Sequence, residues 1–440
     1  MSKADDSRDA AAEQAAPKSV PDTAPDAGRT PSAAVAPAAR PGGNGIATGS
    51  TAPAGATAPV TTAPTTVPSS PPGTMAPGRR TMPGDHTIAV DPGYGVDAPN
   101  VVHGERRQSL NGFEDTYTDI VDYIVRITHR IWEDQDVGYI YDTYAPGCRL
   151  YDDSGVHFGV EQLIAGTMQS INAFPDCRHY ADDVIWAGSD EEGFVTSHRA
   201  INIGHHTGPW RWSGPTGRKL ETWVIANCVV RNNEIYEEWV LYNTAAKLQQ
   251  LGIDVLAAAR EYGNSKDFPG LGERGFSETD RIQGGRKPMP YPEPAGPGFD
   301  VEHEVRRLFH DVYNRRDLSA IDRIYAPTVR WHGTTNRSGY GRSDVRGMAR
   351  NLLATFPDMG VQVDEVYWMG NDTDGQSVSV RWSGSGTHRG YGLYGDPTGR
   401  RVHLWGISQL YFAQGRIVEE WSLFNEFDVL AQLLRDDPDA

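Results

Sequence analysis

The chain has 440 residues, with 41 Lys and Arg against 58 Asp and Glu for a formal charge of −17. That balance excludes a nucleic-acid partner, which needs clustered cations to neutralise phosphates, and no apolar run is long enough to span a bilayer. Cys148, Cys177 and Cys228 are odd in number and lack ligand spacing, so neither a disulfide framework nor a metal is expected, and the cytoplasm is the expected compartment.

Residues 1–85 are rich in Ala, Pro and Thr with almost no aromatic or branched apolar residue, which predicts a disordered tail. No apolar stretch of a secretory signal follows the start. Residues 86–112 form a connecting segment, expected to pack through Ile88, Val90 and Val101. A first domain is expected over 113–262. It opens with a helix from Phe113 to about Glu133, marked by Ile120, Ile124, Ile127 and Ile131 at three-and-four spacing. A short helix is stopped at Tyr144-Ala145-Pro146, a brief strand covers Arg149 to Tyr151, and another helix ends at Phe174 before Pro175-Asp176. Strands are then predicted at Val184 to Ala187, Phe194 to Ile203, Leu220 to Val230 and Ile235 to Tyr242. Asn243 reads as the N-cap of a closing helix, as does Asn425 later in the chain.

Residues 263–299 are a Gly/Pro-rich linker, after which the order of elements begins again over 300–436. Phe174-Pro175-Asp176, Trp186, Pro215-Thr216-Gly217-Arg218, Trp223 and Glu237-Glu238-Trp239 recur as Phe356-Pro357-Asp358, Trp368, Pro397-Thr398-Gly399-Arg400, Trp405 and Glu419-Glu420-Trp421, all at one offset. A repeat this long is a duplicated domain and not a solenoid unit. Helices followed by a run of antiparallel strands predict an α+β fold, two tandem cones in which a curved sheet wraps over N-terminal helices around a pocket.

The second unit carries Gly386-Thr387-His388-Arg389-Gly390, then Gly395 to Val402, then Gly415-Arg416-Ile417-Val418-Glu419-Glu420-Trp421 and a closing Leu-x-x-Leu helix. The first carries Gly204-His205-His206-Thr207-Gly208, Pro215 to Arg218 and Glu237 to Trp239. Over about 113–260 and 300–436 the chain therefore resembles the SnoaL-like polyketide cyclase family, which has the nuclear transport factor 2 fold. The resemblance implies a deep, mostly apolar pocket for a polycyclic or otherwise apolar small molecule, with no metal or organic cofactor. It also implies a catalytic aspartate on the last strand, assisted by a histidine on the strand before, for aldol ring closure. Those positions fall on Val240 and Ala226 in the first unit and on Ser422 and Ser408 in the second, so the acid/base pair is replaced in both.

Strand alternation supplies a substitute. If Val240 and Ser422 face the pocket, so do Glu238, Tyr242, Glu420 and Phe424. A glutamate in an apolar cavity has a raised pKa suited to general acid or base work. The expected partner is His206 or His388, forming a proton-transfer dyad with Glu238 or Glu420. The alternative is that the two glutamates bind a backbone amide or an arginine such as Arg199 or Arg381. Ser408, Ser422, Tyr242, Phe424, His332 and Trp382 are the expected substrate contacts, and the second pocket is expected to be the more polar and the active one if a single unit works. Trp186, Trp223 and Trp239 read as core or dimer-face aromatics, and the glycines flanking His206 and His388 as a bulge.

Three functions fit: a cofactor-free cyclase, isomerase or hydrolase of polyketide or related specialised metabolism; a non-catalytic carrier of an apolar metabolite; or a scaffold recruited to a protein partner by the tail. The two domains are expected to pair as an intramolecular pseudo-dimer, or the chain to form a homo-oligomer.

Overall fold

A computed structural model of the chain describes residues 82–90, 104–269, 293–294 and 296–436. The expected tail up to residue 81, Val101 and most of the expected linker lie outside the described residues.

The first domain opens with α1, Ile120–Trp132, whose Asp119 cap accepts from the backbone N–H groups of Val121 and Asp122 at 3.0 and 2.9 Å. The isoleucine stripe read from the sequence is its buried face. After α2, Ile140–Thr143, come the strands β1, Tyr144–Asp152, and β2, Gly155–Phe158, then helix α3, Val160–Ala173. The strands β3, Arg178–Ser189, β4, Gly193–His205, β5, Lys219–Arg231, and β6, Glu234–Leu241, follow. Helices α4, Thr244–Leu251, and α5, Val255–Gly263, close the domain.

The second domain repeats this plan with helices α6, Val301–Phe309, α7, Ala320–Ile324, α8, Gly341–Thr355, and α9, Glu426–Leu434. Its strands are β7, Tyr325–Gly333, β8, Arg337–Tyr340, β9, Gly360–Asn371, β10, Gly375–Thr387, β11, Arg401–Ala413, and β12, Arg416–Phe424.

Each sheet has six strands, in the orders β2-β1-β6-β5-β4-β3 and β8-β7-β12-β11-β10-β9. All pairings are antiparallel except β1 with β6 and β7 with β12, which are parallel. Two details differ from the sequence reading. Pro146 and Pro327 lie inside a strand instead of ending a helix, because the register shifts between Tyr144 and Arg149, and again at Tyr325, so proline's missing N–H costs no ladder bond. The four-residue strands β2 and β8 are too short to show an alternating pattern.

Ile88 is buried in the first domain's core, and its carbonyl accepts from Trp186 Nε1 at 3.0 Å, so the connecting segment packs there. Among the described residues no helix is long and apolar enough to cross a membrane.

The period of two along the central strands assigns opposite duties to the two sheet faces. Val224, Ala226 and Cys228 on β5 line a cavity beneath the helices. Trp223, Ile225 and Leu241 instead cluster with Trp405, Ile407 and Leu423 of the other domain. Trp223 meets Trp421 edge to face at 5.0 Å between centroids. Arg199 crosses this seam to Gln409 and Tyr411, stacks 4.2 Å over Trp421, and keeps Asp182 as its counter-ion. Because both faces of β5 and β11 are covered, these strands are buried along almost their whole length.

Candidate functional site

The second domain holds a pocket between α6, α8 and the sheet. Its walls are mostly apolar, with Leu308, Phe309, Trp382 and Phe424, and Glu420, Ser408 and Ser422 are its polar floor. Glu420 Oε2 accepts from Tyr325 OH at 2.5 Å, and Oε1 from Ser422 Oγ at 2.5 Å. Ser408 Oγ accepts from Trp382 Nε1 at 3.3 Å and lies 2.8 Å from Ser422 Oγ. A hydroxyl has one proton, so every contact is satisfied when Trp382 donates to Ser408, Ser408 to Ser422, and Ser422 to Glu420. Desolvation raises the Glu420 pKa, opposed by hydrogen bonds from Ser422, Tyr325 and Trp331.

The first domain's cavity has the corresponding carboxyl, Glu238, in its lining. Glu238 Oε2 accepts from Tyr144 OH at 2.9 Å, and burial pushes the Glu238 pKa up to about 7. Its other walls differ. His179 on β3, His198 and Asn202 on β4, and Lys247 on α4 all line it. Burial pushes both histidines down to about 4, so they are neutral, and burial lowers the Lys247 amine. Nδ1 of His179, Nδ1 of His198 and Oδ1 of Asn202 have no hydrogen-bond partner among the described residues.

The expected histidine–glutamate dyads do not form. Glu420 is level with Leu410 and Val378, whereas His388 follows Thr387, level with Arg401 at the far end of β10. At 3.3 Å per residue that is roughly 30 Å along the strand. Nδ1 of His388 instead accepts from the Thr398 backbone N–H at 3.3 Å, and its ring packs on Phe356 and Tyr394. His206 does the same with Thr216, Phe174 and Trp210. Both histidines pin the Pro-Thr-Gly-Arg turn. The glycines after them mark a close approach and not a bulge: a Cβ on Gly208 would sit 1.8 Å from the Asn172 carbonyl, and one on Gly390 1.8 Å from that of Ala354.

Four further expectations are corrected. His332 lies outside the cavity, stacked 3.8 Å from Trp421 with Glu419 as its ion partner, because it has the opposite parity to the inward residues of its sheet. Arg199 and Arg381 pair with Asp182 and with Asp364 and Glu365, not with the cavity glutamates. Asn243 and Asn425 make no side-chain cap. Asn243 Oδ1 accepts from Thr335 N of the second domain at 2.8 Å, and Asn425 Oδ1 from Trp405 N at 3.0 Å, so both tie strand ends to neighbours. The first cavity, not the second, is the more polar.

Val240, Tyr242, Ser422 and Phe424 line the cavities with Glu238 and Glu420, as do Ser408 and Trp382. His179, His198 and Lys247 were missed, though a signal existed. At the repeat's offset they stand opposite Val361, Val380 and Val429, so a titratable residue replaces an apolar one at three buried places. Among the described residues no group of three His, Cys, Asp or Glu is arranged to hold a metal ion.

The family described as SnoaL-like polyketide cyclase matches the chain twice, over residues 122–251 and 303–433. No curated protein matches its sequence. Similar solved structures include AclR from Streptomyces galilaeus, 25% identical over 30% of this chain and 81% of that one, with a TM-score of 0.26. IdmH from Streptomyces antibioticus is 25% identical over 30% of this chain and 95% of its own, with a TM-score of 0.26. TsrD from Streptomyces laurentii is 22% identical over 31% and 98%, with a TM-score of 0.27.

Proposed function

Because the chain belongs to the SnoaL-like polyketide cyclase family, we propose that it is a cyclase-type protein of the cytoplasm that binds an apolar or polycyclic small molecule and moves protons on it without a cofactor. The observation that carries this reading is a buried carboxyl at the same sheet position in both repeats, each beneath a tyrosine hydroxyl, Glu238 under Tyr144 and Glu420 under Tyr325. Glu238, whose pKa burial raises to about 7, is half-protonated near neutral pH and so accepts a proton from a carbon beside a carbonyl and returns it to oxygen with little loss in either direction. That step serves cyclisation, isomerisation or hydrolysis.

The chemistry belongs to the first domain in this reading. Glu238 has Tyr144 as its one side-chain donor among the described residues, in a cavity where His179 Nδ1, His198 Nδ1 and Asn202 Oδ1 also have no partner among them. Glu420 has both oxygens engaged by Tyr325 and Ser422 in an apolar chamber, an arrangement suited to holding a ligand.

The test is native mass spectrometry of the protein from its own cells beside Glu238→Gln and Glu420→Gln. A metabolite converted on wild type should accumulate unconverted on Glu238→Gln, with Glu420→Gln altering occupancy only. The same unchanged ligand on all three proteins refutes acid/base catalysis and leaves a carrier.

A further inference from the structure

We propose that the first cavity captures a ketone or aldehyde carbon of its ligand as an imine on Lys247. This deepens the reading above and rests on it, since it takes the first cavity as the place of chemistry.

Lys247 projects from α4 into the cavity that Glu238 lines. Among the described residues no hydrogen bond or ion pair reaches its amine, which lies 5.0 Å from the centre of the Tyr242 ring. The charged groups near it are weak counter-ions: burial holds the Cys177 thiol up at about 11, hence protonated, and the Asp153 carboxyl at about 7. In the repeat the same position is Val429, fully buried, so the fold does not require a cation there. The chain's lysines are Lys3, Lys18, Lys219, Lys247, Lys266 and Lys287, and every other one of its 41 basic residues is arginine. An arginine in this cavity could hold an anion but could not lose its proton, whereas a desolvated lysine amine can.

The step balances without a further reactant. The unprotonated Nζ adds to the carbonyl carbon and the carbonyl electron pair moves to oxygen. The neutral His179 ring, which lines the cavity with Lys247, relays one proton from the added nitrogen to that oxygen, accepting at one ring nitrogen as it donates from the other, and so ends neutral. The second proton of the nitrogen follows the same route, the C–O bond breaks and water leaves as C=N forms, so ketone plus amine gives imine plus water. The imine acidifies the neighbouring carbon, whose proton then goes to Glu238 if the ligand spans the cavity. A second pocket, lined by Trp210 and Trp212 and by Phe427 of the second domain, adjoins the cavity and shares Ser170 and Tyr242 with it.

The test uses the full chain and pentane-2,4-dione, a small β-diketone that condenses with unprotonated amines to a stable, ultraviolet-absorbing enaminone. After brief exposure at neutral pH, peptide mapping should find a mass gain of one diketone less one water on Lys247, ahead of the surface residues Lys219 and Lys266. Lys247→Arg, which keeps the charge, and Lys247→Met should both lose the fast adduct. Equal labelling of the three lysines, or a fast adduct that survives Lys247→Arg, overturns the proposal. The two readings fail separately. An adduct on Lys247 with ligand unchanged by Glu238→Gln sinks the acid/base assignment, and conversion that survives Lys247→Arg sinks the imine.

Discussion

The two cavities share a frame and a tyrosine–glutamate pair, yet their remaining walls have exchanged polarity. Where the first has His179, His198, Asn202 and Lys247, the second has Val361, Val380, Gly384 and Val429, all buried. Where the second has the chain of Trp382, Ser408 and Ser422, the first has Ala200, Ala226 and Val240. Each domain is thus apolar where the other is polar. The lesson is that the fold fixes which positions face inward and leaves free what chemistry stands there; Trp382, Ser408, Ser422 and Glu420 of the second cavity satisfy one another, while His179 Nδ1, His198 Nδ1 and Asn202 Oδ1 of the first have no partner among the described residues.

The sharpest way to break this comparison is to exchange its most dissimilar pair. Val429→Lys puts an ammonium at a fully buried position in the second domain's apolar core. It should cost roughly 4 kcal/mol or more, read as a fall in the denaturant midpoint. Lys247→Val removes a cation that has no ion pair, from a site with room for it, and should leave stability unchanged or slightly raised. Equal losses for the two variants refute the claim that Lys247 is dispensable to the fold.

Next in size is a pH effect. The Glu238 pKa is raised from 4.5 to about 7 by desolvation. The folded state therefore favours the protonated form, and the unfolded chain does so only below 4.5. The stabilisation is complete below about pH 4.5 and is lost as pH rises through about 7, a swing on the order of 3 kcal/mol. Asp153, also raised to about 7, contributes in the same direction, so the difference between wild type and Glu238→Gln isolates the one carboxyl. Unfolding free energies measured from pH 4 to 8 should converge at the acid end and part toward pH 8, the glutamine protein being the more stable there. Parallel curves mean that Glu238 is not desolvated.

Much of this was legible in the residues. One offset shared by Phe174 and Phe356, Trp223 and Trp405, and Glu238 and Glu420 revealed the duplication, and alternation along β6 and β12 placed Glu238, Tyr242, Glu420 and Phe424 on one face. The failures came where a local pattern had to stand for distance. The motif histidines His206 and His388 directly follow β4 and β10, but strand register, set by pairing across β4, β5 and β6 and across β10, β11 and β12, separates them from the glutamates. A pocket place for His332 follows from its strand alone, although the parallel pairing with β12 sets its parity and stacks it on Trp421, as pairing with β6 stacks its counterpart Tyr151 on Trp239. Tyr144 and Tyr325, which hold the carboxyls, stand two residues before Pro146 and Pro327, where a helix end is expected and no pocket residue is signalled.

The smallest expected effect tests whether the second cavity's polar groups are truly self-satisfied. Ser408→Ala, the residue the first domain has at Ala226, leaves Trp382 Nε1–H buried without its acceptor and should cost about 1 kcal/mol. If the loss belongs to that bond, it should largely vanish in a Trp382→Phe background, where no indole proton needs an acceptor, and the double-mutant cycle reports the coupling directly. Ser422→Val should behave differently. It removes a hydroxyl whose hydrogen bond lowers the Glu420 pKa, so it should steepen the loss of stability toward high pH and leave the acid limit nearly untouched. A Ser408 effect that persists without the indole places the cost in packing and not in the hydrogen-bonded chain, and the contrast between a satisfied second cavity and an unsatisfied first would then rest on the first alone.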